Sequence, residues 1–241
     1  MALKKEKKSL EPVLVDERLS HIAFIMDGNG RWAQKQGMPR AYGHSAGAQT
    51  FYRMAEYCRK IGIRYMTVYA FSTENWKRPP EEVRAIMDIL ENYINKFFNM
   101  NDARENIHLR FIGDLSVFSP ELREKIERID CETAHNSFHL NIAMNYGGRE
   151  EIAHACTELV RQGKTDITEA DIAAHLYTAG CPDPDLIVRT GGDTRISNFL
   201  LWQSAYSEYY FTNVLWPDFG ERDVDAAVAA FYSRHRRFGG V

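Results

Sequence analysis

The chain has 241 residues, of which 44% are hydrophobic and 26% charged, a composition typical of a globular protein long enough for one large domain. Its formal net charge of −3 at pH 7 argues against a general nucleic-acid-binding surface, since such surfaces carry a strongly basic balance. The four cysteines are widely separated and form no CxxC pair, so neither a zinc site nor a disulfide framework is indicated, and we expect a reducing, cytoplasmic location.

The amino-terminal end is predicted to lie outside the folded domain. Residues 1–18 begin with a lysine-rich run, but the residues that follow are too charged for a signal peptide, so we expect a basic, disordered tail. No run of about eighteen apolar residues occurs, which argues against a membrane-spanning helix and leaves at most a peripheral membrane contact. Residues 19–241 contain no linker or repeat and are predicted to form one domain.

Strands and helices alternate along this domain. Strands are predicted over residues 21–27, 64–71, 107–112, 138–145, 185–188 and 208–211. Helices are predicted over residues 44–61, 80–97, 120–133, 149–162 and 222–236, with partly helical structure over residues 198–206. Strands that alternate with helices of this length predict right-handed crossovers and an α/β fold with a central, mainly parallel six-stranded sheet flanked by helices.

The first strand runs directly into the sequence Asp27-Gly28-Asn29-Gly30-Arg31. Two glycines allow backbone N–H groups to approach an anion, and the arginine adds a guanidinium fork. A carboxylate beside such a loop would repel a phosphate unless a cation lies between them, which indicates magnesium at Asp27. Asp-Gly and Asn-Gly are also strong turn formers, so this loop alone is equally compatible with an ordinary turn.

Three other strands end in unusual loops. Residues 72–80 combine hydroxyl, amide, indole and guanidinium groups, residues 145–149 contain two glycines and an arginine, and residues 189–198 contain two arginines and two glycines. Because ligands of parallel sheets bind beyond the carboxyl ends of the strands, these loops together predict a pocket for several phosphate groups. No nucleophile motif accompanies them, which favours electrostatic stabilisation of a leaving group.

A series of long segments resembles the cis-prenyltransferase family, with the greatest similarity to the bacterial undecaprenyl diphosphate synthases. In chain order the segments are HIAFIMDGNGRWA, RAYGHSAG, YAFSTENWKRP, LNIAMNYGGRE, DLIVRTGGDTRISNFLLWQSAYSEYYF, LWPDF and RRFGG. The resemblance implies cis-condensation of isopentenyl diphosphate onto an allylic diphosphate such as farnesyl diphosphate, with undecaprenyl diphosphate, the precursor of a cell-wall lipid carrier, as the expected product. A shorter-chain synthase and a non-catalytic partner subunit that binds polyprenyl diphosphate are the alternatives.

The resemblance also implies roles for individual residues. Asp27 would bind Mg²⁺ and help to expel the allylic diphosphate, Glu208 would be a second magnesium carboxylate, and Asn75 would take part in proton removal, although a neutral amide is a poor base. The substrate-binding residues implied for the allylic diphosphate are Gly28, Asn29, Gly30, Arg31, Trp32, Arg40 and His44. Those implied for the loop after the second strand are Ser72, Thr73, Glu74, Trp76 and Arg78, and those implied for isopentenyl diphosphate are Arg189, Arg195, Ile196 and Ser197.

Two further features gain a meaning from the resemblance. Residues 237–239 resemble a carboxyl-terminal element that reaches the neighbouring subunit, which implies a homodimer; without the resemblance they would be an ordinary basic terminus. The apolar stripe over residues 83–97 predicts a core-facing helix, and the resemblance adds a hydrophobic product tunnel between the sheet and the helices. Phe138 lies in the strand where a bulky side chain could close this tunnel.

Overall fold

Six strands form one fully parallel sheet within the part of the chain that the computed structural model describes, residues 13–97 and 106–234. The strands are β1 (His21–Ile25), β2 (Tyr65–Ser72), β3 (Ile107–Ile112), β4 (Phe138–Tyr146), β5 (Leu186–Arg189) and β6 (Glu208–Phe211), in the order β3-β4-β2-β1-β5-β6. The predicted α/β fold is therefore confirmed. β1 ends two residues before its predicted end, which leaves Asp27 in the loop that follows.

Seven α-helices accompany the sheet in the described residues. They are α1 (Asn29–Lys35), α2 (Arg40–Lys60), α3 (Pro80–Phe97), α4 (Pro120–Thr133), α5 (Gly148–Arg161), α6 (Glu169–His175) and α7 (Glu221–Ser233). Short 3-10 helices occupy Thr73–Lys77, Leu115–Val117 and Trp216–Asp218. None of the helices described combines the length and the apolar character needed to cross a membrane.

The helices depart from the predicted pattern in three places. The short helices α1 and α6 were not predicted, and α2 begins four residues before the predicted start. At α1 and at the start of α2 the reason is glycine, because glycine-containing stretches resemble loops when their tertiary contacts are unknown. The prediction of helical structure over residues 198–206 is wrong: they form consecutive turns, since Asn198 and Leu200 have positive φ angles that a right-handed helix cannot contain. The predicted end of the last helix, at residue 236, falls outside the described residues.

The two faces of the sheet bury separate hydrophobic clusters, as the period of two in a strand requires. On β4, Phe138, Leu140 and Met144 belong to the larger cluster, which also contains apolar residues of α2, α3, α4 and α7. Ala143 points to the other face and joins the smaller cluster. Tyr146 joins it too, because the positive φ of Asn145 interrupts the alternation at the end of the strand. Phe138 therefore faces the same side of the sheet as α2 and α3, but at the amino end of the strand.

Candidate active site

A polar pocket with a volume of about 500 Å³ lies at the carboxyl edge of the sheet. It is formed by the loops after β1, β2 and β5 together with the start of α2, as the parallel arrangement predicts. Most of the predicted site residues line it: Asp27, Gly28, Asn29, Gly30, Arg31, Arg40, His44, Ser72, Asn75, Arg78, Arg189, Arg195 and Ser197. An ordinary turn is therefore not a full description of the loop after β1, because that loop forms one wall of a larger pocket.

Glycines shape the loop after β1. Gly28 has φ +109°, a left-handed conformation that turns the chain from β1 into α1. Gly30 lies in the first turn of α1, where a Cβ atom would come within 2.5 Å of the Arg40 guanidinium carbon. The absence of a side chain at this position allows the Arg40 guanidinium to lie directly over the start of α1, inside the polar pocket.

Asp27 is held between two arginines. Its Oδ1 accepts a hydrogen bond of 2.9 Å from Arg31 and its Oδ2 one of 2.8 Å from Arg189, and the Thr190 hydroxyl donates to its carbonyl oxygen at 2.7 Å. Burial acts to raise the pKa of the Asp27 carboxyl, but the hydrogen bonds from Arg189 and Arg31 outweigh it and lower the pKa. Asp27 is thus a carboxylate at neutral pH, with 29% of its side chain exposed to the pocket.

Arg189 organises the opposite wall of the pocket. Its side chain is only 4% exposed, and it donates to Asp27, to Asp193 at 3.1 Å and to the Ser197 hydroxyl at 2.7 Å, as well as to the carbonyl oxygen of Arg195. Arg195 pairs with Asp193 at 2.8 Å but is 67% exposed. Ser197 has φ +49°, an unusual backbone conformation for a non-glycine residue, and such conformations are often found at functional sites.

Glu82, which the sequence reasoning did not select, holds three of the predicted substrate-binding residues. It accepts hydrogen bonds from Arg40 at 2.8 Å and Arg78 at 3.0 Å, and lies 3.0 Å from Nε2 of His44. Its side chain is 5% exposed. Burial acts to raise the pKa of Glu82, but hydrogen bonds from Arg40 and His44 outweigh it and lower the pKa to about 2. In the sequence, an acidic residue in the first turn of α3 resembles an ordinary helix start.

Residues of the loop after β2 divide into two groups. Ser72 and Asn75 line the polar pocket and bond to each other, since the Asn75 side-chain oxygen accepts from the Ser72 amide at 3.2 Å. Thr73, Glu74 and Trp76 are not among the pocket-lining residues. Glu74 accepts from Asn198 at 3.1 Å, and the Trp76 indole donates to Asn145 at 2.7 Å, so these two side chains tie the loop to its neighbours.

Three further predicted site residues lie away from the polar pocket of this chain. Trp32 donates to Asp218 at 2.6 Å and stacks on Tyr42, and Ile196 packs against the smaller hydrophobic cluster. Glu208 begins the edge strand β6 and pairs with Arg234 at 2.6 Å.

Glu208 lies apart from Asp27 within this chain, and its role as a second magnesium carboxylate stays a prediction. In the sheet register Glu208 is level with Leu186, whereas Arg189, which contacts Asp27, is level with Phe211 at the other end of β6. The side chain of Glu208 is also already paired with Arg234. Sequence similarity indicated the residue type but gave no information on its position along the edge strand.

The carboxylates of the polar pocket suit a magnesium ion that is completed by phosphate oxygens. Asp27 and Asp193 both contact the same guanidinium nitrogen of Arg189, so two carboxylates meet in one pocket. Magnesium is commonly held by one or two carboxylates together with substrate phosphates and water. A closed cage of three or more His, Cys, Asp or Glu side chains is absent from the described ranges.

Two apolar cavities continue from the polar pocket between the sheet and helices α2 and α3. The first, of about 120 Å³, shares Met26, Asn29, His44 and Ala70 with the polar pocket. The second, of about 280 Å³, shares its border residues with the first and extends toward the amino ends of β3 and β4. These border residues are Phe51, Leu90, Tyr93 and Ile142. A charged pocket therefore leads into an elongated apolar space.

Comparison with known proteins identifies the family. Residues 25–239 match the family model described as "Putative undecaprenyl diphosphate synthase". This chain belongs to that family. An isoprenyl transferase of Fusobacterium nucleatum is 50% identical over 222 residues, covering 92% of this chain and 96% of that protein. One from Neisseria gonorrhoeae is 48% identical over 221 residues, covering 91% of this chain and 88% of that protein.

Solved structures of the synthase family share the fold. Lavandulyl diphosphate synthase from Lavandula x intermedia, solved in complex with dimethylallyl diphosphate, has a TM-score of 0.85 and 34% identity, covering 93% of this chain and 100% of that chain. A probable undecaprenyl diphosphate synthase from Campylobacter jejuni has a TM-score of 0.77 and 34% identity, covering 94% of this chain and 100% of that chain. The chain is thus a prenyl transferase with the fold of this family.

Proposed function

We propose that the protein condenses isopentenyl diphosphate units, in cis geometry, onto an allylic diphosphate such as farnesyl diphosphate, and that its product is undecaprenyl diphosphate. One observation carries this proposal: the cation-rich polar pocket opens directly into the apolar cavities. A substrate with a diphosphate head and an isoprenoid tail matches both parts, because burial of apolar tail surface contributes about 25 cal/mol per Å².

The two ends of the polar pocket are assigned to the two diphosphates. Backbone N–H groups of residues 28–30, with Arg31, Arg40, His44 and Arg78, would hold the allylic diphosphate beside the entrance to the apolar cavities. Arg189, Arg195 and Ser197 would hold isopentenyl diphosphate on the opposite wall. The short distances from Asp27 to both Arg31 and Arg189 place it between the two groups of cations.

Bond breaking at the allylic carbon leaves negative charge on the departing diphosphate. Magnesium held by Asp27 would supply positive charge to those oxygens. Arg40 is already oriented by its hydrogen bond to Glu82, so it stabilises the same charge without further reorganisation, and Arg31 would add its charge when Asp27 binds the metal ion. Asn75 lies at the pocket, and its amide oxygen accepts a hydrogen bond from the Ser72 backbone, which suits a positioning role. We assign the proton that leaves the condensed intermediate to the released diphosphate or to water.

The length of the apolar space is the feature expected to limit the product. Phe138 and Met144 lie on the same face of β4 and are separated by six residues, or about 20 Å at the usual rise of a strand. Met144 lines the first cavity, beside the polar pocket, and Leu140 lines the second. Phe138 lies beyond Leu140 along the strand, where its ring would stop the growing chain.

Dimerisation, location and membrane contact complete the proposal. The family resemblance supports a homodimer, although residues 237–239 lie outside the described residues. All four cysteines are free, which supports a reducing, cytoplasmic compartment. The very apolar product supports a peripheral contact with the membrane at the point of release.

Elongation in solution tests this function. The full-length protein is incubated with farnesyl diphosphate, labelled isopentenyl diphosphate and Mg²⁺, and the extracted product is sized by chromatography. We expect undecaprenyl diphosphate with Mg²⁺ and no product with excess chelator. A shorter polyprenyl product would contradict the assigned chain length. Binding of polyprenyl diphosphate without any elongation would instead identify a non-catalytic partner subunit.

Removal of the Phe138 ring tests the proposed limit on product length. The Phe138→Ala variant should shift the product distribution to longer chains, because the deleted ring extends the apolar space. Phe231→Ala on α7 is the matched control, since it also removes a buried ring from the larger cluster, but α7 contributes no residue to either cavity lining, whereas β4, the strand of Phe138, contributes to both. Each variant should lose about 3–5 kcal/mol of unfolding free energy. An equal change in product length in both variants would contradict a specific role for Phe138.

A further inference from the structure

Glu82 lies behind the cationic wall of the polar pocket and contacts three of its members. We propose that Glu82 is a positioning residue that fixes Arg40, His44 and Arg78 in the geometry that receives the diphosphate of the allylic starter. This inference rests on the proposed function, because it assigns a purpose to one end of the same pocket. Glu82 itself does not line the pocket and is not expected to touch the substrate.

The three partners of Glu82 come from separate parts of the chain. Arg40 and His44 lie in the first turns of α2, Arg78 follows the 3-10 helix after β2, and Glu82 lies in the first turn of α3. The Glu82 carboxylate joins them through one oxygen at 3.0 Å from both Arg78 and His44, and through the other at 2.8 Å from Nε of Arg40. A single carboxylate thus sets the relative positions of two helices and a loop.

Exposure shows which side of this cluster faces the substrate. Glu82 is 5% exposed, whereas Arg40 is 44% exposed and Arg78 is 34% exposed, and both arginines line the polar pocket. Arg78 uses NH1 for Glu82, and Arg40 uses Nε and NH2. The remaining N–H groups of each guanidinium are available to a bound diphosphate, since a guanidinium carries five donors in a fixed fork.

Glu82 also connects the diphosphate end to the tail end of the site. Ile86, Ile89 and Tyr93 follow it at intervals of four, seven and eleven residues, so they share its face of α3. All three line the first apolar cavity. The same helix face therefore anchors the cations at its first turn and forms the wall of the tail cavity further along.

Removal of the negative charge could act on diphosphate binding in two opposite directions. Loss of a nearby carboxylate would favour an anion by simple electrostatics, but two arginines already neutralise Glu82 and solvent reaches both of them. Loss of the anchor releases two long side chains whose fixed orientation is the main benefit to the ligand. We therefore expect the loss of positioning to dominate and the affinity to fall.

Calorimetric titration with farnesyl diphosphate alone, in the absence of isopentenyl diphosphate, tests the inference on the full-length protein. Glu82→Gln should raise the Kd about tenfold, the usual scale for hydrogen bonds to charged groups. Glu81→Gln is the matched control, because Glu81 is the preceding residue of the same helical turn and is exposed. In steady-state assays Glu82→Gln should raise the KM for the allylic substrate and leave that for isopentenyl diphosphate within about twofold.

A second variant distinguishes the position of the carboxylate from its charge, and it also tests the inference if Glu82→Gln does not fold. Glu82→Asp keeps the charge but withdraws the carboxylate by one methylene, so the three contacts can no longer be held together, and its Kd should also rise. Unchanged or tighter binding by Glu82→Gln, or wild-type affinity in Glu82→Asp, would overturn the positioning role. Failure of the wild-type protein to bind farnesyl diphosphate would instead count against the proposed function.

Discussion

Two carboxylates, Asp27 in the polar pocket and Glu82 behind its wall, hold arginines in similar ways but in different surroundings. Asp27 pairs with Arg31 and Arg189 and keeps 29% of its side chain exposed to the pocket. Glu82 pairs with Arg40 and Arg78, also contacts His44, and is 5% exposed. The pKa of each carboxyl group lies below its ordinary value, because its hydrogen bonds outweigh the effect of burial.

The difference in exposure indicates different tasks for similar chemistry. A carboxylate that faces an open pocket can exchange an arginine for a metal ion or yield it to a phosphate group, so Asp27 suits the reacting centre. A carboxylate enclosed by two arginines and a histidine has no room for such an exchange, and loss of an arginine would leave a buried charge uncompensated. Glu82 therefore suits a fixed support. Substitutions at the two positions should affect different kinetic parameters.

The largest expected effect is that of Asp27→Asn. The amide keeps the shape of the side chain but is a much weaker ligand for Mg²⁺, so kcat should fall about a thousandfold while farnesyl diphosphate still binds. Measurement of kcat beside the Kd of farnesyl diphosphate checks both parts. Asp88→Asn, at an exposed position of α3, is the control and should behave as wild type. A loss of starter affinity without loss of kcat would reverse the roles assigned to Asp27 and Glu82.

A smaller effect is expected on the isopentenyl side of the pocket. Arg189→Lys replaces a buried fork that serves Asp27, Asp193 and Ser197 at once, and a lysine ammonium cannot reproduce that geometry. We expect kcat/KM for isopentenyl diphosphate to fall about a hundredfold. Arg195→Lys is the matched comparison, since Arg195 is exposed and should lose less than about fivefold. Equal losses of kcat/KM in Arg189→Lys and Arg195→Lys would show that the burial of Arg189 does not contribute to its function.

Sequence patterns were sufficient for the sheet and for most of the pocket. Buried parallel strands are continuous apolar runs, and their carboxyl ends must meet at one edge, so Asp27, Ser72 and Arg189 could be placed together without coordinates. The same reasoning missed α1, because Gly28 and Gly30 indicate a loop unless the packing of α2 against it is known.

Residues whose position depends on long-range contacts could not be predicted. Glu82 looks like an ordinary acidic residue at a helix start, and only the tertiary structure brings Arg40 to it from 42 positions away. Trp32 and Glu208 occur within segments that resemble the family, yet Trp32 points away from the pocket and Glu208 lies at the far end of an edge strand. Similarity identifies a conspicuous residue type, but side-chain direction and sheet register decide what it can touch.

The smallest expected effect concerns acid stability, and it distinguishes the two carboxylates through their protonation. Folding lowers the pKa of Glu82 from 4.5 to about 2, so the ionised group stabilises the folded state above about pH 5, and this contribution is lost as the pH falls toward 2. In Glu82→Gln no such proton is taken up. The difference in unfolding free energy between wild type and this variant should therefore be constant near neutral pH and should shrink on acidification.

Urea unfolding of both proteins between about pH 5 and about pH 2 measures this difference, and every other carboxyl group cancels in the comparison. The difference in unfolding free energy between wild type and Asp27→Asn should also shrink on acidification, because the pKa of Asp27 is also lowered. It should shrink by less than the difference for Glu82→Gln, since solvent screens the partly exposed ion pairs of Asp27. Parallel curves for wild type and Glu82→Gln would mean that Glu82 is no more strongly paired than a surface carboxylate, and the distinction between fixed support and reacting centre would then be lost.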